Sequence, residues 1–148
     1  MIAHWKKISL SIVGGIALLA AAGVWSFHAL LRGMCANEPL FEVPSPDGTL
    51  KAIVFQRDCG ATTGFSTQIS ILKMNQSLPN ESGNLFVADT DRGKVPSGPG
   101  GGPEVRVTWI ATHSLRVAHH QDARVYLAKY NASGVSAEYA TSDEVTAK

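Results

Sequence analysis

The sequence is short of charge. Of its 148 residues, 17% are Asp, Glu, Lys or Arg, against roughly 25% in an average soluble domain. The deficit lies at the N-terminus, where Ile8 to Phe27 (ISLSIVGGIALLAAAGVWSF) contains no charged residue. Formal net charge is +1, with 13 basic and 12 acidic residues. Lys6, Lys7 and Arg32 stand in the N-terminal region, which has no acidic residue, so the remainder carries about −2. A weakly acidic domain offers no basic stripe, and nucleic acid is not an expected partner.

Cysteine is equally scarce. There are two, Cys35 and Cys59, with no CxxC pair, a poor start for a zinc site. No histidine lies near Cys59 in sequence, so a thiol nucleophile there lacks a base. The chain has neither GxSxG nor HExxH. The tract Pro96 to Pro103 (PSGPGGGP) lacks the Lys-Ser/Thr pair of a phosphate loop and opens no helix; it reads as a flexible connection. Asp89-Thr90-Asp91-Arg92-Gly93 has the start of a calcium loop without its remaining ligands or terminal Glu. His113, His119, His120 and Asp122 crowd two turns, but His119 and His120 point to opposite faces of an extended backbone, so exposed turn residues are expected rather than a metal site. The sequence thus assigns no catalytic residue, no metal and no cofactor.

What is present begins with the uncharged N-terminal run. About 20 helical residues rise roughly 30 Å, the thickness of a bilayer's hydrocarbon core. Trp5 and Trp25 stand near its ends, where aromatic rings favour the lipid interface. Lys6 and Lys7 precede it and only Arg32 follows closely, which orients the N-terminus to the cytoplasm. The expected organisation is a cytoplasmic N-terminus over 1–7, a single-pass signal-anchor helix over 8–30 and a linker over 31–39. An extracytoplasmic β domain over 40–140 and a flexible tail over 141–148 complete it. Two alternatives compete. Ala20-Ala21-Ala22 offers a signal-peptidase site, although the apolar run continues through Val24, Trp25 and Phe27. A lipoprotein anchor on Cys35 is disfavoured by Leu31-Arg32-Gly33-Met34, which puts a charge and no small residue where a lipobox needs the reverse. Outside the cytoplasm two cysteines favour a Cys35–Cys59 disulfide. It would fasten the linker to the domain.

After the linker the apolar pattern changes from continuous to alternating. Leu40 to Val43 reads as a strand, Ser45-Pro46-Asp47-Gly48 as a turn, and Leu50 to Gln56, apolar on both faces, as a buried central strand. Ile69 and Ile71 alternate with Gln68 and Ser70. Residues 73–84 and 89–104 read as loops around a short strand, Leu85 to Ala88. Val105, Val107 and Trp109, then Leu115 and Val117, Val125 and Leu127, and Val135, Ala137 and Tyr139 give period-2 strands separated by turns. The expected fold class is mostly β: about eight short strands in a small antiparallel sheet, folded as a sandwich or open barrel behind one N-terminal transmembrane helix.

Two stretches resemble known groups. Ser45 to Gly48 followed by Leu50-Lys51-Ala52 looks like the SPDG turn of TolB-type β-propeller repeats, but it occurs once, which implies a similar hairpin and no propeller. Arg57 to Leu72 (RDCGATTGFSTQISIL) resembles a family of small bacterial membrane-anchored proteins classed as a domain of unknown function. The SPDG turn, Asn84 to Asp89 and the final strands containing Trp109 fit the same pattern, and the likeness covers most of residues 35–140. It implies a bacterial envelope setting, with the chain in the inner membrane and its domain in the periplasm. It implies no reaction, ligand or catalytic residue. In that setting the sequons at Asn75, Asn80 and Asn131 carry no sugar.

The most unusual stretch is the loop from Asp58 to Thr67. Asp58, Thr62, Thr63, Ser66 and Thr67 surround small residues and form a candidate ligand-binding loop for an anion or a glycan. The competing reading is a disulfide-shaped loop whose threonines satisfy local backbone groups. The expected function is a non-enzymatic binding or interaction module, with the membrane and another envelope protein or a cell-wall component as partners. The alternatives are an envelope hydrolase or transferase using this loop, and an anchored subunit of a membrane complex.

Overall fold

In a computed structural model, residues 14–27, 35–60 and 63–142 are described. The chain divides into two units, Met1–Met34 and Cys35–Lys148. In the first, residues 14–27 form a helix on which Ile16, Leu18, Leu19, Val24, Trp25 and Phe27 are exposed. Among the described residues no helix is long and apolar enough to cross a membrane. The remainder of the expected 8–30 span lies outside the described residues.

The second unit is built of strands, in chain order β1 (Ala36–Pro44), β2 (Leu50–Asp58), β3 (Ser66–Lys73), β4 (Phe86–Asp89), β5 (Val105–Ala111), β6 (Ser114–His120), β7 (Arg124–Ala128), β8 (Asn131–Ala132) and β9 (Val135–Ser142). They make two sheets, ordered β1-β2-β3-β4-β7 and β5-β6-β9-β8. The sheets share one core. Val54, Ile69, Ile71, Phe86 and Ala88 from the first meet Val105, Leu115, Val117, Val135 and Ala137 from the second. Both sets sit at alternate strand positions, as burying one sheet face requires. The arrangement is a sandwich rather than a barrel. The Trp109 Nε1–H donates to the Val43 carbonyl (2.9 Å) and the Tyr139 hydroxyl to the Lys129 carbonyl (2.7 Å), so the polar ends of both core aromatics are satisfied.

Four features depart from the sequence expectation. First, β1 starts at Ala36, so residues 36–39 are strand and not linker; Ala36 pairs with Asp58 beside the Cys35–Cys59 disulfide, and Leu40 is the extra residue of a bulge. Second, the second sheet is not wholly antiparallel: β6 and β9 run parallel, from Ser114↔Ser136 to His120↔Ser142. The intervening β7 crosses to the first sheet, and two reversals return the chain to its original direction.

Third, the glycine tract is packed rather than free. Ser97 bridges Pro103, and the Gly98 N–H donates to the Gly102 carbonyl (2.8 Å). A Cβ on Gly102 would lie 2.6 Å from the backbone nitrogen of Thr67, so only glycine fits there. Fourth, Thr141 and Ser142 belong to β9; residues 143–148 of the expected tail lie outside the described residues.

Two local expectations are met. Cys35 and Cys59 form a disulfide. Ser45 to Gly48 is a turn, closed by the Gly48 N–H on the Ser45 carbonyl (2.9 Å), with Gly48 at φ +69°. The two-sided apolar character of β2 also has its reason. Ala52 and Val54 face the sandwich core, while Ile53 and Phe55, fully buried, lie on the opposite face. The segment after β3 lies along that opposite face. Asn37 Nδ2 donates to the Pro79 and Glu81 carbonyls, and the Gly83 N–H donates to Gln68 Oε1.

Candidate functional site

One polar row crosses the outer face of the first sheet. The register places Asn37 beside Arg57, Arg57 beside Ser66, Ser66 beside Asp89, and Asp89 beside Arg124. Directly opposed residues point to the same face, so five strands contribute one side chain each. Above this row Cys59, Thr63 and Gly64 and the turn after β4 border a half-open cleft of about 490 Å³. Its walls include Arg57, Ser66, Gln68, Arg92, Arg124 and Tyr126.

The charges of the cleft do not cancel. Arg124 is spent on carboxylates: Nε and Nη2 form a fork on Asp89 (3.1 and 2.5 Å), and Nη1 lies 3.3 Å from Asp91. Its guanidinium also sits 5.1 Å from the Tyr126 ring centroid, while the Tyr126 hydroxyl donates to Asp89 (2.8 Å). Arg57 instead bonds neutral amides, Asn37 Oδ1 (2.6 Å) and Asn80 Oδ1 (3.2 Å), which leave its charge in place. Arg92 makes no ion pair among the described residues. Arg57, Arg92 and Arg124 thus line the cleft against one lining carboxylate, Asp89, and the lining carries a positive excess.

The same network sets the protonation of its members. Burial raises the Asp89 carboxyl, but the hydrogen bonds from Arg124, the Asp91 N–H and Tyr126 outweigh it and hold Asp89 below the ordinary carboxylate range. The Lys94 hydrogen bond does the same for Asp91, with help from Arg124. Burial and the bond to Asp89 raise the Tyr126 phenol, which stays neutral. Asp89 and Asp91 are thus occupied by protein cations, so the sequence's partial calcium loop is an anion-to-arginine junction.

Of the five residues expected in a ligand loop, Thr63 and Ser66 line the cleft. Thr67 points to the other face, where its buried hydroxyl donates to the Pro103 carbonyl (2.7 Å). Asp58 accepts from the Gly60 N–H (2.9 Å) and does not line the cleft. Thr62 lies outside the described residues. Thr63 and Ser66 also serve the backbone, donating to the Gly60 and Arg57 carbonyls (3.0 and 3.3 Å). Arg57, Gln68, Arg92, Arg124 and Tyr126 also line the cleft, and no motif marks them in the sequence. The alternation of Arg124 with Tyr126 across β7 hinted at a shared face, but the partner strand was not legible.

His113, His119 and His120 do not line this cleft. His119 is buried, with its ring 5.3 Å from Phe86 and its Nδ1–H on the His120 carbonyl (2.9 Å). His120 Nδ1 accepts from the Asp122 N–H (3.1 Å). Thus His119 is a core residue and not an exposed turn residue. Among the described residues no group of three His, Cys, Asp or Glu side chains is placed to hold a metal ion. A second hollow of about 460 Å³ near Pro39 and Leu78 contains Lys51, but that ammonium is paired with Glu42 (3.0 Å). No protein-family model matches the chain, and no curated protein or solved structure does.

Proposed function

We propose that the protein is a membrane-anchored, extracytoplasmic binding module that takes its ligand in the positive cleft over β2, β3, β4 and β7. The observation that carries this reading is the cleft itself: a half-open, sugar-sized hollow in which Arg57 and Arg92 keep their charge. Binding sites of small ligands have this volume and a few converging polar groups. The setting rests on other features. Ile8 to Phe27 has no charge and is preceded by Lys6 and Lys7, which suits an inner-membrane anchor with its N-terminus in the cytoplasm. A disulfide suits the periplasmic side.

A binding role fits the cleft better than hydrolysis or group transfer. The hydroxyls of Thr63 and Ser66 serve local carbonyls, and neither an imidazole nor a free thiol lines the cleft among the described residues. The test is site-specific photo-crosslinking in intact cells with the full chain. A photoreactive residue at Gly64, which lines the cleft and has open space for a side chain, is expected to give a discrete adduct. One at Thr108, exposed on the second sheet, is expected to give none. Equal adducts from both positions, or none from Gly64, would overturn the cleft as the binding surface.

A further inference from the structure

The turn that carries Arg92 is unusual in its backbone. Asp91 and Arg92 both adopt left-handed conformations, at φ +46° and +61°, followed by Gly93 at +83°. Bulky side chains disfavour this region, and successive left-handed residues of that kind are rare. The turn is fixed by its own hydrogen bonds: the Asp91 N–H on Asp89 (2.8 Å), the Gly93 N–H on the Thr90 hydroxyl (3.2 Å) and the Val95 N–H on the Thr90 carbonyl (3.2 Å). Asp89 is in turn clamped by Arg124. The chain thus holds an arginine where glycine would be easier, and points it at the cleft. Strained positions of this kind concentrate at ligand sites, where geometry is fixed in advance.

Resting on the cleft as the binding surface, we propose that its ligand carries an anionic oxygen group, a carboxylate or phosphate on a sugar-sized body, and that Arg92 is its anchor. A guanidinium free of carboxylates presents a planar fork that matches both groups. Arg57 adds a second uncancelled charge, placed across the cleft on β2. The Tyr126 ring, 59% exposed beside Arg124, offers an apolar face for the body of the ligand. The volume of about 490 Å³ accommodates one or two rings and excludes a folded partner from the interior.

The experiment is calorimetric titration of the full chain in neutral detergent with three probes: glucuronate, glucose 1-phosphate and glucose. Glucuronate binding alone identifies a carboxylate site, glucose 1-phosphate alone a phosphate site, and both a site for either anion. Binding is expected to weaken as salt is raised, because the attraction is screened, and uncharged glucose is expected to give no heat. Arg92→Gly and Arg92→Gln should each weaken binding at least about tenfold, the worth of one charge-assisted contact. Arg92→Lys should recover part of it. Arg116→Gln, which removes an arginine paired with Glu138 on the other sheet, should change nothing. The proposal is overturned if neither anionic sugar binds, if glucose binds as well as they do, or if both Arg92 variants bind normally. Failure here with intact Gly64 crosslinking removes the anion and keeps the binding module. Loss of Gly64 crosslinking removes the module reading itself.

Discussion

Replacing both Cys35 and Cys59 with serine should destabilise the domain mainly through the denatured state. The native pairing of β1 with β2 runs from Ala36↔Asp58 to Pro44↔Lys51 and does not need the bond to define its register. What the bond removes is freedom of the unfolded chain. The two half-cystines are 24 residues apart, and closing a loop of that size is worth about 3.5 kcal/mol at 25 °C. A domain of about 110 residues unfolds with an entropy of roughly 0.23 kcal/mol/K, so Tm should fall by about 15 °C. The assay is urea and thermal unfolding of the full chain in detergent, followed by circular dichroism and by the change in tryptophan fluorescence, to which Trp5 and Trp25 add as well as Trp109. The urea slope should rise, because an unbridged denatured chain exposes more surface. A loss below about 1 kcal/mol with an unchanged slope would refute the loop-entropy argument. A loss beyond about 6 kcal/mol would mean that the bond also holds native structure together.

Three further outcomes follow from the cleft and the core. Arg92→Gly relieves a left-handed arginine at φ +61°; the strain relieved and the extra freedom of unfolded glycine nearly offset, leaving a gain of about 0–1 kcal/mol in urea unfolding. A loss above about 1 kcal/mol would make the guanidinium a structural group. Asp89 is held below the ordinary carboxylate range, so its contribution is present above the unfolded value near 3.9 and is lost as pH falls through the lower folded value. Asp89→Asn should cost about 1–2 kcal/mol at neutral pH, discounted for the partial exposure of Arg124, and flatten the acid limb of the stability curve; an unchanged acid limb would contradict this. Burial, with a smaller push from Tyr130, raises the Tyr139 phenol to about 12. The neutral form is favoured in the fold, so that stability is complete below the unfolded value near 10 and is lost between there and about 12. Ultraviolet titration should show a tyrosine step near 12 that Tyr139→Phe removes.

The strands were legible where one face is buried and the other wet. Val105, Val107, Leu115, Val117, Val135 and Ala137 announce themselves by alternation, and all face the core. The apolar run in β2 also told the truth about burial on both sides. What alternation does not carry is which strands become neighbours. Asp89 meets Arg124 across 35 residues, and β6 meets β9 in parallel, because β7 changes sheets. The polar row and its cleft follow from that topology. The 58–67 loop stands out by composition, and two of its members, Thr63 and Ser66, line the cleft. Thr67 is adjacent to Ser66 in sequence, but in a strand adjacency means opposite faces. The composition of the glycine tract suggests mobility, whereas its glycines permit close approach to Thr67 and Phe65.

We propose that the disulfide-closed domain is held outside the cytoplasm by an uncleaved N-terminal segment. The most direct test is intact-mass analysis of the protein recovered from membranes, alkylated with and without prior reduction. The expected result is a chain that retains residues 8–30, with no alkyl group before reduction and two after it. A chain shortened at Ala20 to Ala22, or one whose thiols both alkylate without reductant, would contradict it.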